Sequence, residues 1–329
     1  MNHSALGYRA FGEPESVLHV ESRSPAPLPA GQIRVKMLFS PVNASDLIPM
    51  TGAYRHRTPL PAVAGYEGVG VVTEGPPHWL GKRVLPLRGQ GTWQNSVDCP
   101  MALAVPVPDD IESTLAARGY INPLAAQMML NLYPPKGKRI VLTAAGSDCA
   151  ALLGQWAIKA GADAVYGIHR SPAHTERLQA MGIIPVLQQD TATISAIAAQ
   201  AERVYDATGG RLADGILDAM PETGIFVCYG LLSGTPFRQQ PQVRWFHIRN
   251  YLDALSSDQW QAEFCEIWPK LLASHYGDVT LFPLAEWRAA LAYYRQAGRL
   301  AKPMFAMHDS RVPVLWSSGE ERTGAKTYR

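Results

Sequence analysis

The sequence predicts an α/β protein in two parts, a β-rich half followed by a half built on a doubly wound parallel sheet. Three observations carry this. Short β-branched runs alternate with Pro and Gly turns over roughly the first hundred residues, strand and helix periods alternate regularly after Pro108, and the length of 329 residues exceeds one ordinary domain. The composition agrees: 47% hydrophobic and 18% charged residues supply a core and exclude wholesale disorder.

In the β-rich half, residues 33–37, 68–72 and 83–86 read as strands separated at close intervals by turn residues, the texture of a mostly antiparallel domain. Residues 111–132 read as a helix leading into the second half. There, residues 139–144 form a buried strand, followed by a turn and a helix over 149–160. Strand 164–169 and helix 173–181 come next, then a short strand at 184–187 and a helix at 194–201. Strand 204–207, helix 212–220 and strand 224–229 complete a Rossmann-type alternation, whose ligands sit at the carboxyl ends of the strands. Residues 259–274 and 284–297 are helical, and the segment closing on 302–305 is expected to return to the β-rich half. The polar, aperiodic stretch 308–329 reads as a flexible tail.

Several function classes fall away on composition. A net charge of +2 makes no electrostatic case for nucleic acid or an acidic membrane surface. No apolar run approaches the ~20 residues that span a bilayer. Residues 1–11 lack a basic segment followed by an apolar core, so no signal peptide and a cytoplasmic location are expected. Four scattered cysteines, Cys99, Cys149, Cys228 and Cys265, show neither zinc-ribbon nor disulfide-framework spacing.

The motifs then narrow the reading. Pro41-Val42-Asn43-Ala44-Ser45-Asp46, Gly52-Ala53-Tyr54, Leu60-Pro61-Ala62-Val63-Ala64-Gly65-Tyr66-Glu67-Gly68-Val69, Gly91-Thr92-Trp93 and Ile121-Asn122-Pro123 occur together. In this combination the chain resembles the zinc-free branch of the medium-chain dehydrogenase/reductase superfamily, which holds quinone oxidoreductases and 2-enoyl thioester reductases. The resemblance runs from about Val17 to Met307. It implies a GroES-like β-rich catalytic domain over 1–118 and 256–329, including the tail, and a Rossmann NADPH-binding domain over 119–255. Zinc members of the superfamily carry Cys and His where this chain has Asn43 and Tyr66, and an amide and a phenol are not usual zinc ligands. The four-cysteine lobe of structural-zinc members is also missing between Leu87 and Trp93, so no metal is expected.

The resemblance places Tyr54 where enoyl thioester reductases keep a proton-donating tyrosine. Reducing a double bond conjugated to a carbonyl needs a proton at the α-carbon and a hydrogen bond to the developing enolate. A phenol, neutral at pH 7, donates without first ionising. Tyr66 either lines the pocket or fills the volume of the missing metal, and Trp93 either forms a pocket wall or packs in the core. Glu67 is expected to be buried and paired, with no catalytic role.

For the cofactor, the turn Ala144-Ala145-Gly146-Ser147-Asp148-Cys149-Ala150 stands where a glycine-rich loop would approach a pyrophosphate. The family's Gly-x-Gly falls on Asp148-Cys149-Ala150, and Asp148 is expected to cap the following helix. His169-Arg170-Ser171 ends the second strand with no acidic residue, and Arg170 can fork onto a 2′-phosphate, which favours NADPH over NADH. By family position, Asn43, Gly146, Ser147, Asn122, Tyr229, Gly230, Leu231, Leu232, Tyr251, Leu252 and Lys302 join Asp148, Cys149 and residues 169–171 as cofactor-binding candidates.

Together these imply an NADPH-dependent reductase of an activated, α,β-unsaturated double bond, a 2-enoyl thioester or an enone, acting without zinc on a small-molecule substrate. An NADPH:quinone oxidoreductase is the alternative enzyme, and a non-catalytic NADPH-binding protein the alternative of another class. A homodimer is expected from the resemblance.

Overall fold

The computed structural model describes residues 3–307 apart from Pro25 and Gln90; the stretch 308–329, expected to be a tail, lies outside the described residues. The first half supplies β1 (His3–Tyr8), β2 (His19–Arg23), β3 (Gln32–Pro41), β4 (Ala62–Val63), β5 (Val69–Glu74), β6 (Arg83–Leu85), β7 (Ser96–Pro100) and β8 (Val105–Pro106). Strands β2, β1 and β4 form a small antiparallel sheet, while β3, β5, β6, β7 and β8 form most of a larger one. Its central strand β3 shows why: Ile33, Val35 and Met37 alternate inward and are fully buried. Between them Arg34 points outward and pairs across both neighbours, with Glu74 on β5 and Asp98 on β7, each at 2.8 Å.

The second half holds β9 (Arg139–Leu142), β10 (Ala164–His169), β11 (Ile184–Leu187), β12 (Arg203–Asp206), β13 (Ile225–Cys228) and β14 (Val243–Trp245). They form an all-parallel six-stranded sheet in the order β11-β10-β9-β12-β13-β14. Helices Asp148–Lys159, Thr175–Ala180, Thr191–Ala198 and Gly210–Ala219 connect the strands, which is the doubly wound Rossmann arrangement. The chain then returns: β15 (Val279–Pro283) and β16 (Lys302–Ala306) join the larger sheet through antiparallel pairing of β16 with β3. Lys302 is thereby placed at the junction of the two halves.

The helix expected over 111–132 is split into Ser113–Ala116 and Ile121–Leu132. Glu67 accounts for the second start: its Oε2 accepts the backbone N–H groups of Tyr120 (3.1 Å) and Ile121 (2.8 Å), donors that a helix beginning leaves free. Gly119 sits in the break because Trp268 comes within 2.8 Å of where a Cβ would stand. That indole belongs to helix Ser257–Leu272, whose Trp260, Phe264, Ile267 and Leu271 are buried in one cluster with Tyr120 and Leu124. No described helix is long and apolar enough to cross a membrane.

Candidate active site at the junction of the two halves

A buried polar chain holds the junction together. Asn43, at the end of β3, donates from Nδ2 to Glu67 Oε1 (2.6 Å) and accepts at Oδ1 from Lys302 Nζ (2.6 Å) and Asn122 Nδ2 (3.4 Å). Lys302 in turn lies 3.3 Å from Asp148 Oδ2, the two side chains only 8% and 10% exposed. Beside them Asp46 accepts the backbone N–H groups of Asn43 (2.7 Å) and Tyr66 (2.8 Å). Burial pushes the Asp46 carboxyl up to about 7 and raises that of Glu67 as well, against the hydrogen bonds that favour their charged forms. At Asp148 burial also pushes upward, but Lys302, Arg118 and Arg177 outweigh it and hold the carboxyl below its ordinary range.

Tyr54 follows a short 3₁₀ turn, Ile48–Thr51, that ends in left-handed Gly52, and it is half-buried. Its hydroxyl lies 3.3 Å from His247 Nε2, across the junction. The two rings meet edge-on, at 89° with centroids 5.7 Å apart, and the Arg57 guanidinium lies 4.0 Å from the phenol ring centre. Arg57 also donates to His247 Nε2 at 3.2 Å. Next to this group Tyr66 is half-buried with Arg249 5.1 Å from its ring centre. Burial raises the Tyr66 phenol, with Arg249 opposing. The arrangement is a phenol donor, an imidazole and two guanidinium groups at the junction, suited to an acceptor that develops negative charge on oxygen.

On the sheet side, Ser147 caps helix Asp148–Lys159 by accepting from Ala150 N–H (3.3 Å). Asp148 is therefore not the cap. It is the first helical residue, and its carboxylate turns to Lys302 and to Arg177 (3.8 Å) because those cations are within reach inside a buried site. Gly146 lies under the His174 ring, which comes within 2.7 Å of a would-be Cβ. Arg170 is exposed and has no acidic partner among the described residues, and Ser171 caps the next turn. Cys149 is buried, and burial pushes its thiol up to about 12, which removes it as a nucleophile.

Five buried polar atoms along this junction have no hydrogen-bond partner: Ser45 Oγ, Asp148 Oδ2, His174 Nδ1, the Tyr229 hydroxyl and His247 Nδ1. Three of these residues follow the carboxyl ends of β10, β13 and β14, where ligands of such sheets sit. Orphaned polar atoms in a fold are costly, and those that follow the strand ends fit a polar ligand with several hydrogen-bonding groups. Exposed Arg170 and the helix start at Ser147 fit the phosphates of a dinucleotide, whereas Asp148 shares the cations such phosphates would seek.

Other expected contacts need correction. Trp93 is fully buried, donates from Nε1 to Pro41 O (3.2 Å) and meets Phe305 edge-on at 5.0 Å, so it is core and not a pocket wall. Trp93→Ala should cost about 3–5 kcal/mol of stability, measured by urea unfolding. Leu252 is likewise packed in the core, 4% exposed. His169 is 2% exposed with Nδ1 against Ser171 O, and Asn43 spends both ends of its amide inside the protein. These three lie behind the surface that a ligand could touch. Tyr251 is half-buried and stacks on Phe246, Gly230 approaches Ala207, and Leu231 and Leu232 are exposed. Among the described residues no three His, Cys, Asp or Glu side chains come together as a metal site.

Sequence reasoning missed His247, Arg57, Arg249, His174 and Arg177. None lies in a motif, and His247 reaches Tyr54 from 193 residues away.

Comparison with known proteins extends the picture. The description of the alcohol dehydrogenase GroES-like domain matches residues 29–109. A solved structure from Bacillus thuringiensis, a proposed NADPH:quinone reductase, superposes with a TM-score of 0.86 at 31% identity, covering 93% of this chain and 99% of that one. The mitochondrial enoyl-(acyl-carrier-protein) reductase of Arabidopsis thaliana is 28% identical over 252 residues, 70% of this chain and 66% of the relative. The Xenopus tropicalis reductase of the same name is 35% identical over 136 residues, 38% of this chain and 37% of the relative. This chain thus aligns with about two thirds or less of these two relatives' lengths.

Proposed function

We propose, for a chain that belongs to the zinc-free branch of the medium-chain dehydrogenase/reductase superfamily, the NADPH-dependent reduction of a carbon–carbon double bond conjugated to a carbonyl, in a 2-enoyl thioester or an enone. The observation that carries this is the Tyr54 hydroxyl, held at the junction beside His247 and Arg57 at the carboxyl edge of the parallel sheet. NADPH, when bound, would supply the hydride that the β-carbon needs. Tyr54 supplies the proton for the α-carbon or hydrogen-bonds the enolate oxygen, and the guanidinium groups of Arg57 and Arg249 stabilise the charge that develops. Arg170 with Ser171 would hold the 2′-phosphate, Ser147 and the helix it caps the pyrophosphate side, and Tyr229 and Tyr251 the nicotinamide side, while Lys302 is spent on Asn43 and Asp148.

The purified protein should oxidise NADPH in the presence of crotonyl thioesters or simple enones. Absence of turnover with every such acceptor would remove the reading. Arg170→Ala should weaken NADPH binding about 10- to 100-fold, the worth of one or two charge-assisted hydrogen bonds, and leave NADH binding unchanged. A fluorescence titration with both cofactors checks it.

Two other readings each have an observation behind them. Quinone reduction is favoured by the likeness to the Bacillus thuringiensis protein, and an acceptor profile of quinones against enoyl thioesters separates it. A non-catalytic NADPH-binding role draws on Asp148 beside the phosphate path, and would show as binding without turnover. Our reading also includes a cytoplasmic homodimer. Four free cysteines suit a reducing compartment, and β14 ends the parallel sheet with Trp245 53% exposed.

A further inference from the structure

We infer that His247 is the positioning residue for Tyr54: its imidazole, tied to Arg57, sets the phenol hydroxyl for proton delivery, a role that rests on the reductase reading above. His247 follows β14 in the parallel-sheet half, whereas Tyr54 and Arg57 belong to the β-rich half, so the three meet only when the halves are docked.

The hydrogen-bond chemistry decides the tautomer. Arginine has donors only, so the His247 Nε2 that faces Arg57 at 3.2 Å must be the accepting nitrogen, and the ring proton sits on Nδ1. Burial, with Arg57 and Arg249 adding to it, depresses the imidazole pKa below its usual range, so the lone pair persists at neutral pH. Nε2 has one in-plane lone pair and two claimants, Arg57 and the Tyr54 hydroxyl at 3.3 Å. The hydroxyl's own bond to Nε2 sets its oxygen, and when Arg57 takes the lone pair the phenol hydrogen is free to turn to a substrate. The Tyr54 O–H bond then breaks and its proton passes to the α-carbon, while the hydride the β-carbon needs would come from NADPH when bound. The phenolate left behind lies beside the Arg57 guanidinium and recovers its proton from water. His247 thus acts through Tyr54 and Arg57, without itself bonding to the reacting atoms.

Two substitutions separate this role from simple packing. His247→Phe keeps an aromatic ring and removes the lone pair; His247→Gln loses the ring and can return an acceptor close to Nε2. The expected result is a fall in kcat of about tenfold for His247→Phe, larger than any change in KM, and recovery of most of that loss in His247→Gln. A packing role gives the opposite order, with Phe tolerated and Gln impaired, and would overturn the assignment. Side-chain 15N spectra give a readout without substrate. His247 should show the neutral Nδ1–H tautomer, with an Nε2 resonance that moves in Tyr54→Phe; an Nε2–H tautomer overturns the inference. An active wild type with impaired Tyr54→Phe and unimpaired His247→Phe sinks the His247 role alone. A wild type inactive on every acceptor sinks the reductase reading and this role with it.

Discussion

Tyr54→Phe is expected to lower turnover of a 2-enoyl thioester about 100-fold or more, the usual worth of a positioned general acid, while NADPH binding stays as in the wild type. The phenylalanine fills the same space beside His247 and keeps the Arg57 contact to the ring, so only the hydroxyl is removed. Steady-state kinetics and a cofactor titration on the same preparation test both halves of the statement. Full turnover in the mutant would show that the proton comes from elsewhere, as quinone reduction without an essential protein acid would allow.

The second large effect is on stability. Lys302→Met should destabilise the fold by about 3–5 kcal/mol, because it removes the cation shared by the Asp148 carboxylate and the Asn43 amide in a site that water hardly reaches. Asp148→Asn in the same chain should recover much of that loss, since no charge is then left uncompensated. Urea unfolding of the two single variants and the double variant gives the coupling directly. The pH dependence has a definite sign. Asp148 has its folded carboxyl below the ordinary value, so its contribution is complete above about pH 4 and is lost as the pH falls through the folded value. Lys302→Met should flatten that acid-side slope. An unchanged slope would mean that Arg118 and Arg177 suffice to hold the carboxylate.

Asp148 also bears on how the cofactor half departs from its relatives. A residue that in sequence reads as a helix cap is, in the fold, one end of a buried ion pair that ties helix Asp148–Lys159 to β16. Its charge is already matched inside the protein. The cations that match it are Lys302 and Arg177, one from the returning strand β16 and one from the helix after β10.

Much of the architecture was legible from periodicity. Strands 164–169 and 184–187 coincide with β10 and β11, and the other strands of the parallel sheet that were read fall within two residues of their observed ends. The edge strand β14 was missed, since Val243-Arg244-Trp245 is too short to show a pattern and is held by pairing to β13. The single helix read over 111–132 was too long for a physical reason: its break at Gly119 is imposed by the Trp268 indole and by the Glu67 carboxylate, neither of which is near in sequence.

By itself the sequence determined the two-part α/β design, the motif that contains Tyr54, the absence of an acid after the second sheet strand at Arg170, and the family these imply. Those are local properties, written in the spacing of apolar residues and in short motifs. The tertiary structure alone decided what surrounds Tyr54, that Trp93 belongs to the core, and that Asp148 answers Lys302. Hydrophobic periodicity records which face of an element is buried, but a hydrogen bond or ion pair depends on which side chain stands opposite. For the Lys302–Asn43 bond that partner lies 259 residues away, at a meeting point that exists only once β16 has come back to β3.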